Sequence, residues 1–290
     1  MSRLAHILVR QREGYPHEAL EAGCRAAGLT PQFGHGGKLD PEVVLVTWTP
    51  WRGSLADRAG EQHRARGGAW IVCENGYFND VEGNRYISMA LCGYNGWGHS
   101  LPSGLLSDRF DALGLAIQPW REEGEHILLV GQAGGTDARF TMPTGWPDDV
   151  IERIRAVTDR PIIYRPKPTR PLPLLRKHAG VTTADPHVPI SELFQGAWAA
   201  VIHSSKVSAY ALLHGTPVLY DGESCVLSSL YGRGVELVED PPMPERKPFF
   251  DDLAYAQWSH DEIASGEPFH WLLNLHEACR EKPTLANEVA

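Results

Sequence analysis

The sequence predicts an α/β protein built from two Rossmann-like halves with a ligand cleft between them. Apolar, strand-like runs alternate with helix-like segments up to residue 75, and the same alternation begins again near residue 125. Glycine-rich or polar residues directly follow several of these runs. Because parallel strands joined by helices bind ligands beyond their carboxyl ends, these strand ends are where we expect a site.

In the first half, continuous apolar runs are typical of buried parallel strands. The strand-like runs are residues 4–10, 42–48 and 69–75, and the helix-like segments are residues 15–28 and 54–68. Ser54 is placed to cap the second helix, and Gly28 to end the first. The order β-α-β-α-β favours a parallel sheet with right-handed crossovers. Residues 76–119 are less regular and rich in Gly, Asn and aromatic residues, a composition that favours site-forming loops.

The second half repeats the pattern. Its strand-like runs begin at residues 125, 161, 197 and 217, and its helix-like segments are residues 148–159, 190–197 and 206–215. The charged, glycine-broken stretch near residues 121–125 marks the junction. We therefore predict a first domain over 1–122, a second over 123–250, and a helical segment over 251–290 that packs back across the junction.

Composition narrows the functional classes. The chain has 290 residues, 42% of them apolar, and a net charge of −9, which disfavours a non-specific nucleic-acid binder. No apolar stretch approaches the roughly 20 residues that span a bilayer, and the first apolar run is too short for a signal peptide. The five cysteines are odd in number and lack metal-ligand spacing. We expect a cytoplasmic protein with reduced thiols, no membrane insertion and no metal.

The stretch 199–222 joins a strand to a helix at His203, Ser204 and Ser205. If Ser204 or Ser205 caps a helix beginning at Lys206, the first N–H groups of that helix can bind a phosphate, with charge and donors added by His203 and Lys206. Plain helix capping is the alternative. A nucleophilic serine is disfavoured because Gly-x-Ser-x-Gly is absent.

Two further strand ends carry polar groups. In "YRPKP" the flanking prolines fix an extended backbone, which holds Arg165 and Lys167 on one side of the strand end and suits a diphosphate. A solvated basic turn is the alternative. After the strand at 125–130, Gly131 lets a ligand approach the backbone and Gln132 offers a polar contact. This loop matches neither Gly-x-Gly-x-x-Gly nor a Walker loop, which disfavours dehydrogenase and P-loop functions.

The first half offers a candidate base. Glu74 ends an apolar strand, where partial desolvation would raise the pKa of its carboxyl and make it a better base. Alternatively it caps a turn or pairs with Arg85. His99 is a second candidate for the base or for an acceptor contact. The expected acceptor contacts are Asn75, Tyr77, Asn95 and Trp97, with packing beneath the loop as the alternative for Trp97.

Several motifs together resemble a known family. They are "VCENGYFND", "YISMALCGYNGWG", "ILLVGQ", "PIIYRPKP", "HSSKVSAYALLHGTPVLYDG" and "AYAQWSHDEIASG". In this order they resemble phage-encoded proteins distantly similar to the capsule polysaccharide β-Kdo transferases, which have the GT-B fold. The resemblance covers roughly residues 70 to 270. One departure is that Lys167 replaces the histidine of the family's Arg-Pro-His-Pro, which preserves charge for phosphate contact but not proton shuttling.

The resemblance implies a nucleotide-sugar-dependent glycosyltransferase that needs no metal. The donor phosphates would be held on the second domain by Arg165, Lys167, His203, Ser204 and Ser205, and Glu74 on the first, acceptor-side domain would be the base. A phage origin suggests a 5-hydroxymethylpyrimidine of double-stranded DNA as the acceptor. The basic residues Arg52, Arg58, Arg64 and Arg66 would then track the DNA backbone, unless they form an ordinary solvated face. A polysaccharide or lipid-linked glycan is the alternative acceptor, and a non-catalytic binder of nucleotide sugar or nucleic acid is the alternative of another class.

Overall fold

A computed structural model describes residues 3–9, 15–34, 39–49, 54–78, 86–93, 104–134, 142–169 and 174–281. The chain divides into two compact units. The first lies within Met1–Arg109 and Asp251–Ala290, and the second is Phe110–Phe250. The first unit is therefore discontinuous in sequence, and each unit is described by itself.

The strands are β1 (Arg3–Leu8), β2 (Leu29–Phe33), β3 (Val44–Trp48), β4 (Ala69–Asn75), β5 (Tyr86–Leu91), β6 (His126–Val130), β7 (Ile162–Arg165), β8 (Val181–Thr183), β9 (Ala197–Ile202), β10 (Val218–Tyr220) and β11 (Gln257–Ser259). The α-helices are α1 (His17–Ala26), α2 (Leu55–Arg64), α3 (Asp108–Ala112), α4 (Trp146–Arg155), α5 (Ile190–Phe194), α6 (Val207–Leu213), α7 (Lys247–Ala254), α8 (His260–Ser265) and α9 (Glu267–Glu281). Two 3-10 helices, Val226–Ser229 and Val235–Glu239, follow β10.

The first unit contains a six-stranded sheet in the order β11-β5-β4-β3-β1-β2. Strands β1 to β4 are parallel, whereas β5 and β11 are antiparallel to their neighbours. Apolar side chains of the parallel strands pack against α1, α8 and α9 in one core that includes Ile7, Leu20, Val46, Ile71, Ile263 and Phe269. The side chain of Ser54 caps α2, as the sequence predicts, by accepting a hydrogen bond from the Asp57 N–H at 3.1 Å.

The second unit contains a five-stranded, wholly parallel sheet in the order β10-β9-β6-β7-β8. The inner strands β6 and β9 are buried and apolar except at the partly exposed His126 and Trp198, and α4 covers them with Val150, Ile151 and Ile154. The predicted α/β class with parallel sheets is confirmed. The interdomain cleft stays a prediction.

The predicted boundary at residues 122 and 123 differs from the division after Arg109. Residues 115–121 pack against the rest of the second unit. The buried Arg246 donates hydrogen bonds to the Gln118 and Leu212 carbonyls at 2.6 and 2.5 Å. Its guanidinium also lies 3.7 Å from the ring centroid of Trp120. The charged stretch that the sequence indicates as a junction is thus part of the second unit, and residues from Asp251 onward belong to the first unit through β11, α8 and α9.

Four strands of the structure are not predicted by the apolar runs of the sequence. Strands β2, β8 and β11 are sheet edges of five, three and three residues, and β2 and β8 are mostly exposed, so they lack continuous apolar runs. The fourth, β5, is buried, but it lies within the segment that the glycine-rich composition predicts to be irregular. Short edge strands carry little periodic signal because only part of each strand meets the core. None of the described helices combines the length and the apolar composition that a membrane span requires.

Gly23 is where α1 meets α8. A Cβ at this position would overlap the Ile263 carbonyl oxygen and come within 2.9 Å of the Phe269 ring. We expect Gly23→Ala to lower the free energy of unfolding by about 1–3 kcal/mol despite its better helix propensity, because the obstructing atom is backbone. Urea denaturation measures the effect. Gly232→Ala, whose Cβ would meet nothing within 4 Å, is the control and should change stability by less than about 0.5 kcal/mol. Equal midpoints for the two variants would contradict the prediction.

Candidate functional site

The candidate site of the second unit lies at the carboxyl edge of its sheet. Val130, the last residue of β6, is in register with Arg165 of β7 and with Ile202 of β9, and Ile202 pairs with Tyr220 of β10. Four parallel strands therefore end in one row. The residues that follow or end them share a single edge of the sheet: Gly131 and Gln132, Arg165, His203, and Asp221. Ligands of open parallel sheets bind at such an edge.

Gln132 and Ser204 are joined by two hydrogen bonds. The side-chain amide of Gln132 donates to Ser204 Oγ at 3.1 Å, and its carbonyl oxygen accepts from the Ser204 N–H at 3.1 Å. This pairing links the loop after β6 to the loop after β9. The structure thus brings together two residues that the sequence predicts for one site, and it fixes the orientation of the Gln132 amide.

His203 is packed into the interior. It is 4% exposed, its Nδ1 lies 3.2 Å from Ser204 Oγ, and its ring meets Trp146 edge-on with centroids 5.5 Å apart. A Cβ on Gly222 would come within 2.7 Å of the imidazole, so only glycine leaves room for it there. Burial lowers the pKa of His203 to about 4, although Asp221 and Glu223 oppose that shift. The expectation that His203 adds positive charge is therefore wrong near neutral pH, because desolvation keeps the ring neutral.

Ser205 has a more local role than predicted. Helix α6 begins at Val207, and the N-cap residue Lys206 makes no side-chain capping bond. The hydroxyl of Ser205 accepts from the Val207 N–H at 3.3 Å. Because α6 has only seven residues, the dipole available at its start is small. Phosphate binding at Ser204 and Ser205 stays a prediction, and it depends on their hydroxyl groups more than on the helix end.

The two basic residues of "YRPKP" differ in their surroundings. Arg165 Nη2 donates to the carbonyls of Pro186 and Val188 at 3.1 and 3.2 Å, and burial lowers its pKa. The hydrogen bonds of Arg165 therefore connect the segment after β8 to the end of β7. Lys167 is half-buried, and its ammonium has no acceptor among the described residues. Arg165 thus has one nitrogen engaged by carbonyls, whereas the whole ammonium of Lys167 is available to a ligand.

Gly131 is required by packing within the strand edge. A Cβ there would come within 2.9 Å of Tyr164 Oη, and the Gly131 N–H donates to the Arg165 carbonyl at 2.8 Å. The close approach that the glycine permits is thus to β7.

Asp221 is a polar strand-end residue that the sequence analysis missed. Its Oδ2 accepts from Trp146 Nε1 at 2.8 Å and from Arg153 Nη1 at 2.9 Å. Arg153 also pairs with Glu236 at 2.6 Å, so Asp221 and α4 form one network. The signal that could have revealed it is Asp-Gly directly after an apolar run, the same strand-end pattern that points to Glu74 and His203.

In the first unit, Glu74 lies at the end of β4 as predicted. Its Oε1 accepts from the backbone N–H of Asn75 at 2.8 Å and from Asn75 Nδ2 at 2.9 Å. This is the turn-capping arrangement that the sequence leaves open as an alternative. The Oε2 atom has no hydrogen-bond partner within the described part of the chain, so half of the carboxylate remains available. Asn75 is exposed, as an acceptor contact requires.

Tyr77 does not have the exposure that an acceptor contact would need. Its side chain is 0% exposed, which favours packing for this ring. The remaining candidates, His99, Asn95 and Trp97, lie outside the described residues. In the described ranges, no group of three His, Cys, Asp or Glu side chains could hold a metal ion; a metal-free reaction stays a prediction.

Comparison with known proteins gives a fold likeness. No protein-family model matches the chain, and no curated protein matches it either. The chain is similar to two solved structures from Thermosulfurimonas dismutans, each with a match probability of 1.00. The KpsC beta Kdo 2,4 transferase matches with a TM-score of 0.56 and 12% identity over 91% of this chain and 98% of that one. The KpsC beta Kdo 2,7 transferase matches with a TM-score of 0.54 and 13% identity over 95% and 99%.

This chain shares the fold of those transferases. The likeness extends over nearly the whole length of each protein, so neither unit is an unrelated addition. It agrees with the family that the sequence motifs resemble, and the identity is low. A phage origin stays a prediction.

The protonation of His203 gives a pH-dependent test. The unfolded imidazole takes up a proton near pH 6.5, whereas the folded one does so only near pH 4. The stability due to this neutral burial is therefore complete above pH 6.5 and is lost as the pH falls toward 4. The variant His203→Gln has no imidazole to protonate, so only the wild type loses this stability. The difference in the free energy of unfolding between the two proteins should therefore narrow by roughly 3 kcal/mol from pH 7 to pH 4. Urea unfolding of both proteins at several pH values measures the gap. A gap that does not change with pH would show that the ring is not buried.

Proposed function

We propose that the chain is a glycosyltransferase that moves a sugar from a nucleotide-sugar donor to an acceptor hydroxyl. The observation that carries the proposal is the full-length fold likeness to two proteins named as Kdo transferases. The polar edge of the second sheet supports it independently, since Gln132, Ser204 and Lys167 lie on loops at the ends of strands whose register aligns them.

The donor phosphate is assigned to the second unit. As the bond from the anomeric carbon to the leaving phosphate breaks, negative charge develops on the phosphate oxygens, and fixed donors lower the barrier. Lys167 supplies the positive charge, and the hydroxyls of Ser204 and Ser205 supply hydrogen bonds. Gln132 holds Ser204 in place. His203 takes part as a neutral ring, and Arg165 keeps the neighbouring segment in position.

The acceptor proton is assigned to Glu74 in the first unit. Because Asn75 holds Oε1 from two directions, the carboxylate has a defined orientation, and Oε2 remains to accept the proton of the attacking hydroxyl. A base with one oxygen fixed and the other available loses little freedom when the substrate binds.

The acceptor that we propose is a glycan hydroxyl. The net charge of −9 disfavours a DNA duplex as the acceptor, and the names of the two similar structures give the transferred sugar, Kdo, without pointing to DNA. The predicted DNA-tracking residues give no separate support: Arg52 is outside the described residues, and Arg64 of α2 pairs with Glu61 at 2.9 Å. Helix α2 carries the acidic residues Asp57 and Glu61 besides Arg58 and Arg64, so the helix is of mixed charge. A hydroxymethylated pyrimidine and binding without turnover are outcomes of the test.

The first test is turnover. We expect one donor in a panel of UDP-, GDP-, dTDP- and CMP-sugars to release its nucleotide slowly, and to transfer its sugar when oligosaccharides are added, as measured by mass spectrometry. Glu74→Gln should lower kcat by about 100-fold or more and leave the donor KM within about twofold, because it removes the base and not the donor site. Glu21→Gln, an exposed carboxylate paired with Arg25 in α1, is the matched control.

Three outcomes would contradict this assignment. Tight nucleotide binding without turnover of any donor would make the protein a binding module. If hydroxymethylated DNA gains the mass of a sugar and oligosaccharides gain none, the acceptor is DNA and not a glycan. A Glu74→Gln variant as active as Glu21→Gln would remove Glu74 from the mechanism.

The second test is nucleotide binding. Lys167→Ala should weaken binding of the released nucleotide by about 10- to 150-fold, since one charge-assisted contact to phosphate contributes about 1.5–3 kcal/mol. The loss should shrink at high salt, because the contact is electrostatic. Lys177→Ala, another lysine in the segment between β7 and β8 and exposed, should bind as the wild type does. Calorimetric titration of both variants measures the difference, and equal affinities would place the phosphate elsewhere.

A further inference from the structure

A buried amide from the far end of the sequence holds the turn that follows Glu74. Gln257 of β11 is 1% exposed, and its Oε1 accepts from the Tyr77 N–H at 2.7 Å and from the Phe78 N–H at 3.1 Å. The two donors are consecutive backbone groups, and the acceptor lies 180 residues away from the first of them. The turn that they fix begins directly after Glu74 and Asn75.

The turn needs an acceptor at this point. Gly76 passes so close to β5 that a Cβ would lie 2.5 Å from the Cβ of Tyr86, and its N–H donates to the Tyr86 carbonyl at 2.7 Å. Beyond Gly76 the chain has left β4, so the next two N–H groups are outside the strand ladder. Tyr77 and Phe78 are fully buried, which keeps water away. A carbonyl oxygen has two lone pairs, so the single Oε1 of Gln257 satisfies both donors.

Gln257 is itself held in place. Its backbone carbonyl accepts from Arg109 Nη2 at 2.9 Å, and Arg109 also pairs with Glu262 at 2.6 Å and lies 4.5 Å from the Trp258 ring centroid. Across the sheet, Gln257 is in register with Ser88 of β5, and Ser88 is in register with Glu74 of β4. Gln257, Ser88 and Glu74 therefore lie in one row across the three strands.

We infer that Gln257 is a positioning residue for Glu74. This inference rests on the proposed function, in which Glu74 takes the acceptor proton. Asn75, the last residue of β4, leads directly into this turn, and Asn75 holds Oε1 of Glu74 through its N–H and its side-chain amide. Loss of the Gln257 acceptor shifts the turn, moves Asn75 and misaligns the carboxylate. A displacement of about 1 Å at a reacting group lowers a rate on the order of 100-fold.

The first arm of the test measures the turn directly, without any substrate. Gln257→Met keeps the length of the side chain and removes the acceptor, whereas Gln257→Glu keeps an oxygen that accepts both N–H groups. We expect hydrogen–deuterium exchange in peptides covering residues 74–78 to quicken at least tenfold in Gln257→Met and to stay near the wild-type rate in Gln257→Glu. Unchanged exchange in Gln257→Met would overturn the inference.

The second arm uses the donor and acceptor that turn over in the panel, with each variant at its own pH optimum. Gln257→Met should lower kcat at least tenfold with the donor KM within twofold of wild type, and Gln257→Glu should restore kcat to within about threefold. Ser259→Ala, which removes the capping box of α8 two residues further on, is the control for lost stability. Equal losses of kcat in Ser259→Ala and Gln257→Met would overturn the inference.

The two arms separate the inference from the proposed function. If no donor turns over with the wild-type protein, the proposed function fails, and the positioning of Glu74 for catalysis fails with it. The exchange rates then still decide whether Gln257 holds the turn. If the wild type turns over and Gln257→Met has a normal kcat, the proposed function stands and the inference alone is wrong.

Discussion

The parallel register of the second sheet is the constraint on which the candidate donor site depends. Because β6, β7, β9 and β10 all run in one direction and end in one row, every residue that follows them arrives at the same edge. The Gln132–Ser204 pair then joins two of those loops, and the buried ring of His203 fills the space that Gly222 leaves open. The chemistry of this edge follows from that packing: a neutral imidazole, fixed hydroxyls and one available lysine.

Much of this arrangement could be predicted because buried parallel strands leave a strong signal. Continuous apolar runs locate β3, β4, β6 and β9 to within a few residues, and polar groups that end such runs must lie at the sheet edge. The positions of Glu74, Gln132 and Ser204 follow from this rule. Asp221, which follows the apolar run of β10, obeys the same rule.

Other features depend on tertiary contacts that no local pattern contains. The protonation state of His203 depends on the residues that bury it. The two hydrogen bonds of Arg165 to backbone carbonyls depend on the path of the segment after β8. The exposure of Tyr77 could not be inferred, because the glycine and asparagine around it are equally compatible with a surface loop. The division after Arg109 differs from the predicted boundary because a charged stretch has the composition of a linker, whereas Trp120 packs against Arg246 of the second unit.

The discontinuity of the first unit has a consequence for how the protein is made. During synthesis from the N-terminus, β1 to β5 leave the ribosome early, but β11, α8 and α9 follow only after the whole of the second unit. Until then, the outer edge of β5 has no neighbouring strand, and part of the apolar surface of α1 is uncovered. The second unit is continuous, so all of its strands have been synthesised before the last strand of the first sheet, β11, is added.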